Sequence, residues 1–453
     1  MSRLTCFKTY DVRGRLGADI DADVFLRIGR AFAQVMSPGL TVVGHDCRQS
    51  SPELAEALVE GLLSGGSDVA DIGLCGTEEV YFATDHLKAG GGLMVTASHN
   101  PIDYNGIKLV GAQARPISRD SGLNDIEALA AGGEFAPAAR GTRRQVDTRP
   151  AYADRVLSFV DTARLRPLKI LVNAGHGVAG PAFDAIAARL RASGAPLEFV
   201  PIHHDPDGSF PVGIPNPLLP ENRPRTADAV RAAGADFGVA WDGDFDRCFF
   251  FDETGDFVDG EYVVGLLAAA FLAKEAGGRI VHDPRVMWNT LDTVAQSGGE
   301  AVVSRTGHAL IKARMREVDA VYGGEMSAHH YFRNFMYCDS GMIPWLLMAE
   351  HLGRTGRTVS ALLEDRRAAF PSSGEINFRL KDAQAAMAQV ETALLPQAAA
   401  VDRLDGLSLD FGAWRMNLRM SNTEPVLRLN VETRGDRALL EAKVADITAL
   451  VMS

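Results

Sequence analysis

Four short polar runs concentrate the residues able to do chemistry. In the first, Thr96-Ala97-Ser98-His99-Asn100-Pro101, a serine beside a histidine follows the apolar run Leu93 to Val95. A serine at a strand end is placed to act as a nucleophile or a phosphoryl carrier, and a plain polar turn closed by Asn-Pro is the bland alternative. The absence of a Gly-x-Ser-x-Gly elbow argues against Ser-His-Asp hydrolysis. The second run, Asp242-Gly243-Asp244-Phe245-Asp246-Arg247, sets three carboxylates at alternate positions. Such carboxylates can converge on one hard cation, and Mg²⁺ takes a few carboxylate oxygens plus a phosphate oxygen. The calcium EF-hand does not fit, because its later Glu and its flanking helices are missing. Without a cation, three packed carboxylates are costly.

The third run is Gly323-Gly324-Glu325-Met326-Ser327-Ala328-His329-His330. Glu325 and Ser327 suit hydrogen bonding to sugar hydroxyls. Adjacent histidines do not easily face one site, so His329 and His330 read as structural or sugar-proximal rather than as metal ligands. The fourth run, Arg419-Met420-Ser421-Asn422-Thr423-Glu424-Pro425, is followed by Arg428. Two hydroxyls, an amide and two guanidiniums so close together make a phosphate cradle, with bidentate Arg geometry and turn N–H donors.

These runs need elements that end where the chemistry begins. Leu40 to Val43, Leu168 to Val172 and Arg279 to His282 read as strands, each followed by amphipathic helical sequence. Leu93 to Val95, Phe237 to Ala240 and Asp319 to Tyr322 read as a second set, each entering a polar, Gly-containing loop. Strands alternating with helices imply α/β units with mostly parallel sheets, whose ligands bind beyond the carboxyl ends of strands. Asp21 caps an expected helix with Phe25, Ile28, Phe32 and Val35 on one face, a core stripe. Ala136 to Pro150 and Pro371 to Gly374 read as linkers. After Gly374 the pattern becomes α+β: strands at Glu375 to Leu380, Ala413 to Met420 and Val426 to Glu432, and a last helix from Arg437.

The 453 residues suggest about three domains from length alone. A hydrophobic share of 46% with 23% charged residues fits a globular chain. The longest uncharged apolar stretch, Tyr262 to Ala273, is far short of the roughly 20 residues of a membrane span, and the N-terminus lacks a signal core. The expectation is a cytoplasmic protein that does not engage membranes. The net charge of -12 argues against a nucleic-acid partner but not against a small phosphorylated ligand, which needs only a local basic pocket. The five cysteines are scattered, with no zinc spacing, and read as reduced, buried thiols.

Taken in order, the four runs resemble the α-D-phosphohexomutase family. The likeness extends from Phe7-Lys8-Thr9-Tyr10-Asp11-Val12-Arg13-Gly14 to Arg428, with further matching pieces at Gly44-His45-Asp46-Cys47-Arg48, Asp207 to Pro211, Pro215-Asn216-Pro217 and Thr306-Gly307-His308. The resemblance implies three related α/β domains with mixed, mostly parallel sheets and a smaller α+β C-terminal domain around a central cleft, at 1–148, 149–253, 254–371 and 372–453. It implies a phosphorylated Ser98, which together with Asp242, Asp244 and Asp246 holds Mg²⁺, and a substrate-facing Arg247. Glu325 and Ser327 would read the sugar. Arg419, Ser421, Asn422, Thr423 and Arg428 would bind the non-reacting phosphate. Tyr10, Arg13, Lys108, Arg285 and His308 would line the substrate site, and His99 and Lys108 are candidates for acid/base work or charge stabilisation.

The implied reaction interconverts hexose 6-phosphate and hexose 1-phosphate through a hexose 1,6-bisphosphate, which also serves as activator. The Glu325-Met326-Ser327 form, with Tyr331-Phe332-Arg333 and Cys338 to Gly341, resembles the phosphomannomutase branch feeding GDP-mannose synthesis, in a monomer or weak dimer. Phosphoglucomutase and phosphoglucosamine mutase are the near alternatives. A sugar-phosphate phosphatase with an Asp nucleophile is the distant one. Two positions depart from the family pattern: His45 stands where Arg is common, and Arg285 where Lys occurs.

Overall fold

The computed structural model describes residues 4–420 and 426–453. The chain divides into two compact units, Met1–Phe257 with Ser327–Gly356, and Val258–Met326 with Arg357–Ser453.

The first unit contains two sheets. One runs in the order Asp11–Arg15, Tyr104–Gly111, Gly91–Val95, Leu40–His45, Asp68–Leu74 and Arg143–Gln145. Its last four strands are parallel, and Tyr104–Gly111 is antiparallel to both of its neighbours. The other runs Phe257–Val258, Cys248–Phe251, Phe237–Trp241, Leu168–Asn173 and Leu197–Ile202. Here Leu168–Asn173 lies parallel to both neighbours and Cys248–Phe251 returns antiparallel. In both sheets a central strand is flanked by the next two strands of its α/β unit, and the chain then doubles back. A short hairpin, His330–Phe332 with Cys338–Asp339, also belongs to this unit.

In the second unit, Arg279–His282 is flanked by parallel Glu300–Val303 and Tyr322–Gly324. The same three-strand arrangement thus occurs a third time. The C-terminal sheet is antiparallel throughout, in the order Ile376–Arg379, Val426–Thr433, Trp414–Met420, Leu407–Asp410 and Ala400–Asp402. The helices Ala383–Leu394 and Arg437–Met452 pack apolar residues such as Val390, Leu440 and Ile447 against it. Among the described residues, no helix is long and apolar enough to cross a membrane.

The expected helix spans Ala22–Met36. Asp21 Oδ1 accepts the Val24 N–H at 2.8 Å, and Phe25, Ile28 and Phe32 are buried. Two expectations need correction. Asp319 is not part of a strand: it ends the helix His308–Val318 in the left-handed region (φ 50°), and the strand begins at Tyr322. A polar residue able to adopt that conformation stops a helix much as glycine does. Nor is Ala136 to Pro150 only a linker. Arg143–Gln145 pairs in parallel with Val69–Asp71, although its side chains are exposed and carry no apolar alternation. Backbone hydrogen bonds and the Arg143 pairs to Asp71 and Glu56 secure it.

The loop after Gly91–Val95 is fixed mainly by Arg48. Its Nη2 donates to the carbonyls of Ser98 and Asn100 at 2.9 and 2.5 Å, and its Nη1 to those of Pro101 and Tyr104 at 2.8 and 3.2 Å. Asp46, with its Oδ2 3.6 Å from Arg48 Nε, is the buried counter-ion. Asp46 in turn accepts the Arg48 N–H and the Ser51 hydroxyl. A loop with that many inward carbonyls needs such a donor, because unpaired buried carbonyls are costly. Replacing Arg48 by Met keeps the stem and removes the donors. Breaking this buried pair is expected to remove about 3–5 kcal/mol. Limited proteolysis should cut between residues 98 and 104 much faster in R48M than in the parent chain, with the far-ultraviolet spectrum unchanged.

Candidate active site

Ser98 sits between the antiparallel strands Gly91–Val95 and Tyr104–Gly111. It is 3% exposed and its φ is 47°. A non-glycine residue in that region is strained and is kept there by its surroundings. Thr96 Oγ1 accepts the Ser98 N–H at 2.9 Å, and Arg48 holds its carbonyl. The Asp242 to Arg247 run likewise bridges antiparallel strands, with Trp241 opposite Cys248. Its Gly243 is required by contact, since a Cβ there would lie 2.7 Å from the Ser98 carbonyl oxygen. The two loops therefore touch backbone to backbone.

This contact brings Ser98 Oγ within 2.6 Å of Asp242 Oδ2, to which it donates. Arg247 donates to the same oxygen through Nε and Nη2 at 2.9 and 2.7 Å. Lys108, on the strand beside Ser98, gives its ammonium to Asp244 Oδ2 at 2.7 Å and Asp246 Oδ2 at 2.5 Å. Thr77 Oγ1 adds a hydrogen bond to Asp244 Oδ2. All these partners fall on the Oδ2 atoms. The Oδ1 atoms of Asp242, Asp244 and Asp246 are buried and lack hydrogen-bond partners among the described residues. One oxygen from each of these carboxylates lies within 4.8 Å of those from the other two. Buried carboxylate oxygens without donors fit a hard cation and little else.

The electrostatics agree. Burial alone would lower the Lys108 pKa, but Asp244, Asp246 and Asp242 outweigh it and hold the ammonium above the ordinary lysine range. Burial would raise Asp244, and Lys108 overrides it downward. Asp246 gets less relief, and burial, then the Asp244 charge, push it up to about 6. His99 is lowered well below the usual histidine value by burial, then by Arg247 and Arg13, so it is neutral. Its Nδ1 accepts from Arg247 Nη2 and lies 3.0 Å from Ser98 Oγ. Arg13 reaches the same loop, with Nη1 2.5 Å from Asn100 Oδ1 and Nη2 2.9 Å from Asp11. Tyr10, half-buried, immediately precedes the Arg13 strand.

Three residues of this site were given no such part by the sequence. His329 Nδ1 is 3.0 Å from Asp339 Oδ2 and 4.0 Å from Asp246 Oδ1. Asp339 is an acceptor, so the proton is on Nδ1 and the other ring nitrogen is the basic one. His330 is buried in the hairpin strand, and burial, then His329, bring its pKa down to about 3. Alternation of side chains along an extended strand separates the two histidines. Arg48 is the third. The period-2 rule could have separated the two histidines, but nothing local pointed to the carbonyls that Arg48 holds some fifty residues on.

The second unit gathers the remaining residues differently. Arg285 forks onto Asp283, with Nε to Oδ1 at 3.0 Å and Nη2 to Oδ2 at 2.7 Å. Arg419 and Arg428 are directly opposite each other on neighbouring antiparallel strands. Glu325 is buried and accepts the Gly307 N–H at 2.7 Å, beside His308 at the start of its helix. Ser327 is half-buried and belongs to the first unit. Ser421, Asn422 and Thr423 lie outside the described residues.

Known proteins bear on this arrangement. Residues 4–137, 150–255 and 259–370 match the phosphoglucomutase/phosphomannomutase alpha/beta/alpha domains I, II and III, and residues 375–450 match the C-terminal domain of the same family. A phosphomannomutase of Salmonella montevideo is 58% identical over 456 residues, covering 100% of both chains. A protein of Xanthomonas campestris named phosphohexose mutases is 57% identical over 449 residues, 99% of each. A solved phosphoglucomutase/phosphomannomutase family protein of Burkholderia thailandensis superposes with a TM-score of 0.87 at 32% identity, over 100% of this chain and 98% of that one. With four domains matched in order and relatives alike over their whole length, the chain belongs to the phosphoglucomutase/phosphomannomutase family.

Proposed function

We propose that the chain interconverts hexose 6-phosphate and hexose 1-phosphate, with mannose the preferred sugar, by way of a phosphorylated Ser98 and a hexose 1,6-bisphosphate. The observation that carries this reading is the single hydrogen-bonded array of Ser98 Oγ, Arg247 and Asp242, with Asp244 and Asp246 close by and the buried Oδ1 of all three carboxylates lacking a hydrogen-bond partner among the described residues. Relatives named phosphomannomutase at 58% identity support the sugar. Free thiols, four of them buried, suit a reducing, cytoplasmic setting.

Asp242, Asp244 and Asp246 would hold Mg²⁺, which when bound neutralises the charge of a phosphoryl group on Ser98. The chain's own residues do the rest. Arg247, with Nη2 3.5 Å from Ser98 Oγ, is placed to pair with phosphoryl oxygens. Lys108 offsets two of the carboxylates and fixes their orientation. His329, its Nδ1–H held by Asp339, would take the proton from the attacking hydroxyl as the Oγ–P bond breaks and the O–P bond forms, and the Ser98 oxygen left behind takes a proton from solvent. In the return step the Ser98 hydroxyl gives up that proton as its Oγ–P bond re-forms, and His329 returns the one it holds to the departing sugar oxygen. Arg419 and Arg428, with the Ser421 to Thr423 segment, would bind the phosphate that is not being transferred. Holding either phosphate there allows the bisphosphate to react from both ends.

Three outcomes test this. S98A should lose at least about a thousandfold in turnover, and its intact mass should lack the single phosphate carried by the parent chain. A phosphatase with an Asp nucleophile would instead keep its turnover in S98A. In coupled assays at equal concentration, mannose 6-phosphate should surpass glucose and glucosamine 6-phosphates, and a clear preference for the glucosamine compound would refute the sugar assignment. Because a proton competes for Asp246 below about pH 6, the Mg²⁺ concentration giving half-activity should rise as the pH falls through that value. The rise should be at most about tenfold per pH unit, with no change between about pH 7 and 8.

A further inference from the structure

The arginines of the second unit share a counter-ion that the phosphate reading does not require. Glu375 Oε2 accepts from Arg285 Nη1 at 3.1 Å and from Arg419 Nη2 at 3.2 Å, and its Oε1 is 3.4 Å from Arg428 Nη1. Its side chain is 12% exposed, and those of Arg285 and Arg419 are 3% and 4% exposed. Arg419 and Arg428 are paired across adjacent strands, where like charges repel. Arg285 is already committed to Asp283, and Asp283 Oδ2 also accepts the Met326 N–H at 3.0 Å beside Glu325. Arg419 Nε is buried without a hydrogen-bond partner among the described residues.

We infer that Glu375 is a positioning residue that stands in for phosphate between turnovers and keeps the cradle's grip weak enough for the bisphosphate to turn around. Resting on the reading of Arg419 and Arg428 as phosphate ligands, it adds a reason for the carboxylate among them. Three guanidiniums with Glu375 and Asp283 carry a net charge of +1, and a phosphate dianion takes this to -1. Without Glu375 the same occupancy is neutral, and a buried guanidinium that has lost its partner gains most from an incoming anion. Tighter grip on both orientations of the intermediate does not speed the chemical step, and it slows release and reorientation. Arg285 suits this arrangement where lysine would not. Its fork binds both oxygens of Asp283 and still offers Nη1 to Glu375, whereas an ammonium is a point charge.

The test is calorimetric binding of glucose 1,6-bisphosphate to full-length S98A and to S98A carrying Glu375→Gln or Glu375→Asp. The expected result is roughly five- to tenfold tighter binding with Gln and near-parental binding with Asp. In the active background, Glu375→Gln should lower KM and kcat together, whereas a merely structural role would raise KM. If Glu375→Gln lowers the melting temperature, the bisphosphate should restore it by more than it stabilises the parent. Equal or weaker binding with Gln, or a stability loss the ligand does not recover, overturns the inference. Absence of binding by S98A itself would instead overturn the phosphate reading of the arginines.

Discussion

The first unit is organised around the difficulty of burying three carboxylates together. Asp242 and Asp244 are fully buried and Asp246 is 2% exposed. Like charges so close would drive one another to protonation. The chain supplies Lys108 and Arg247 against them but only on the Oδ2 side, and the residual strain appears on Asp246. A fully paired set would be more stable and would bind no cation. The half-paired set leaves three buried Oδ1 atoms without a hydrogen-bond partner among the described residues, the condition under which a cation is favoured. The second unit shows the inverse composition: three guanidiniums with Glu375 among them. In both places a minority charge pairs with more than one of its opposites and so fixes their geometry.

Such charge arrangements need a rigid frame. The two loops in contact, around Ser98 and Gly243, contain no regular structure of their own. Arg48 supplies it for the first, tying four carbonyls to the end of the Leu40–His45 strand. For the second, buried Phe245 fills the space that a side chain on Gly76 would occupy, and Thr77 donates its N–H to the Asp244 carbonyl. The strained φ of Ser98 and that of Phe245 (45°) are held by these contacts. The two loops are thus held by residues of neighbouring elements, Arg48 for the first and Gly76 and Thr77 for the second.

What was legible in the sequence follows from locality. The runs Leu40 to Val43 and Arg279 to His282 announced strands because β-branched residues there are buried on both faces. The Asp triplet was legible because its three members occupy one turn. Asp319 misled because it is a helix cap that precedes an apolar pair. Arg143–Gln145 was invisible because an exposed edge strand of two arginines and a glutamine has no apolar period. His329 was visible but not its use, which depends on Asp339 ten residues later across a hairpin. Arg48 and Glu375 are ordinary charged residues in sequence, and the carbonyls that Arg48 holds and the arginines that Glu375 joins are dozens of positions away.

The array around Ser98 also decides where a proton can go. His99 is the nearest base in sequence, but its Nδ1 receives an N–H from Arg247, and burial among cations keeps the ring neutral. A ring so placed orients Arg247 and resists taking up a further positive charge. Lys108 is held as an ammonium by two carboxylates and has no lone pair to offer. His329 differs from both: its contact is with an anion, Asp339, which stabilises an imidazolium once formed. Of the two imidazoles beside this array, His99 meets a guanidinium and His329 a carboxylate, so a positive charge is better tolerated on the His329 ring.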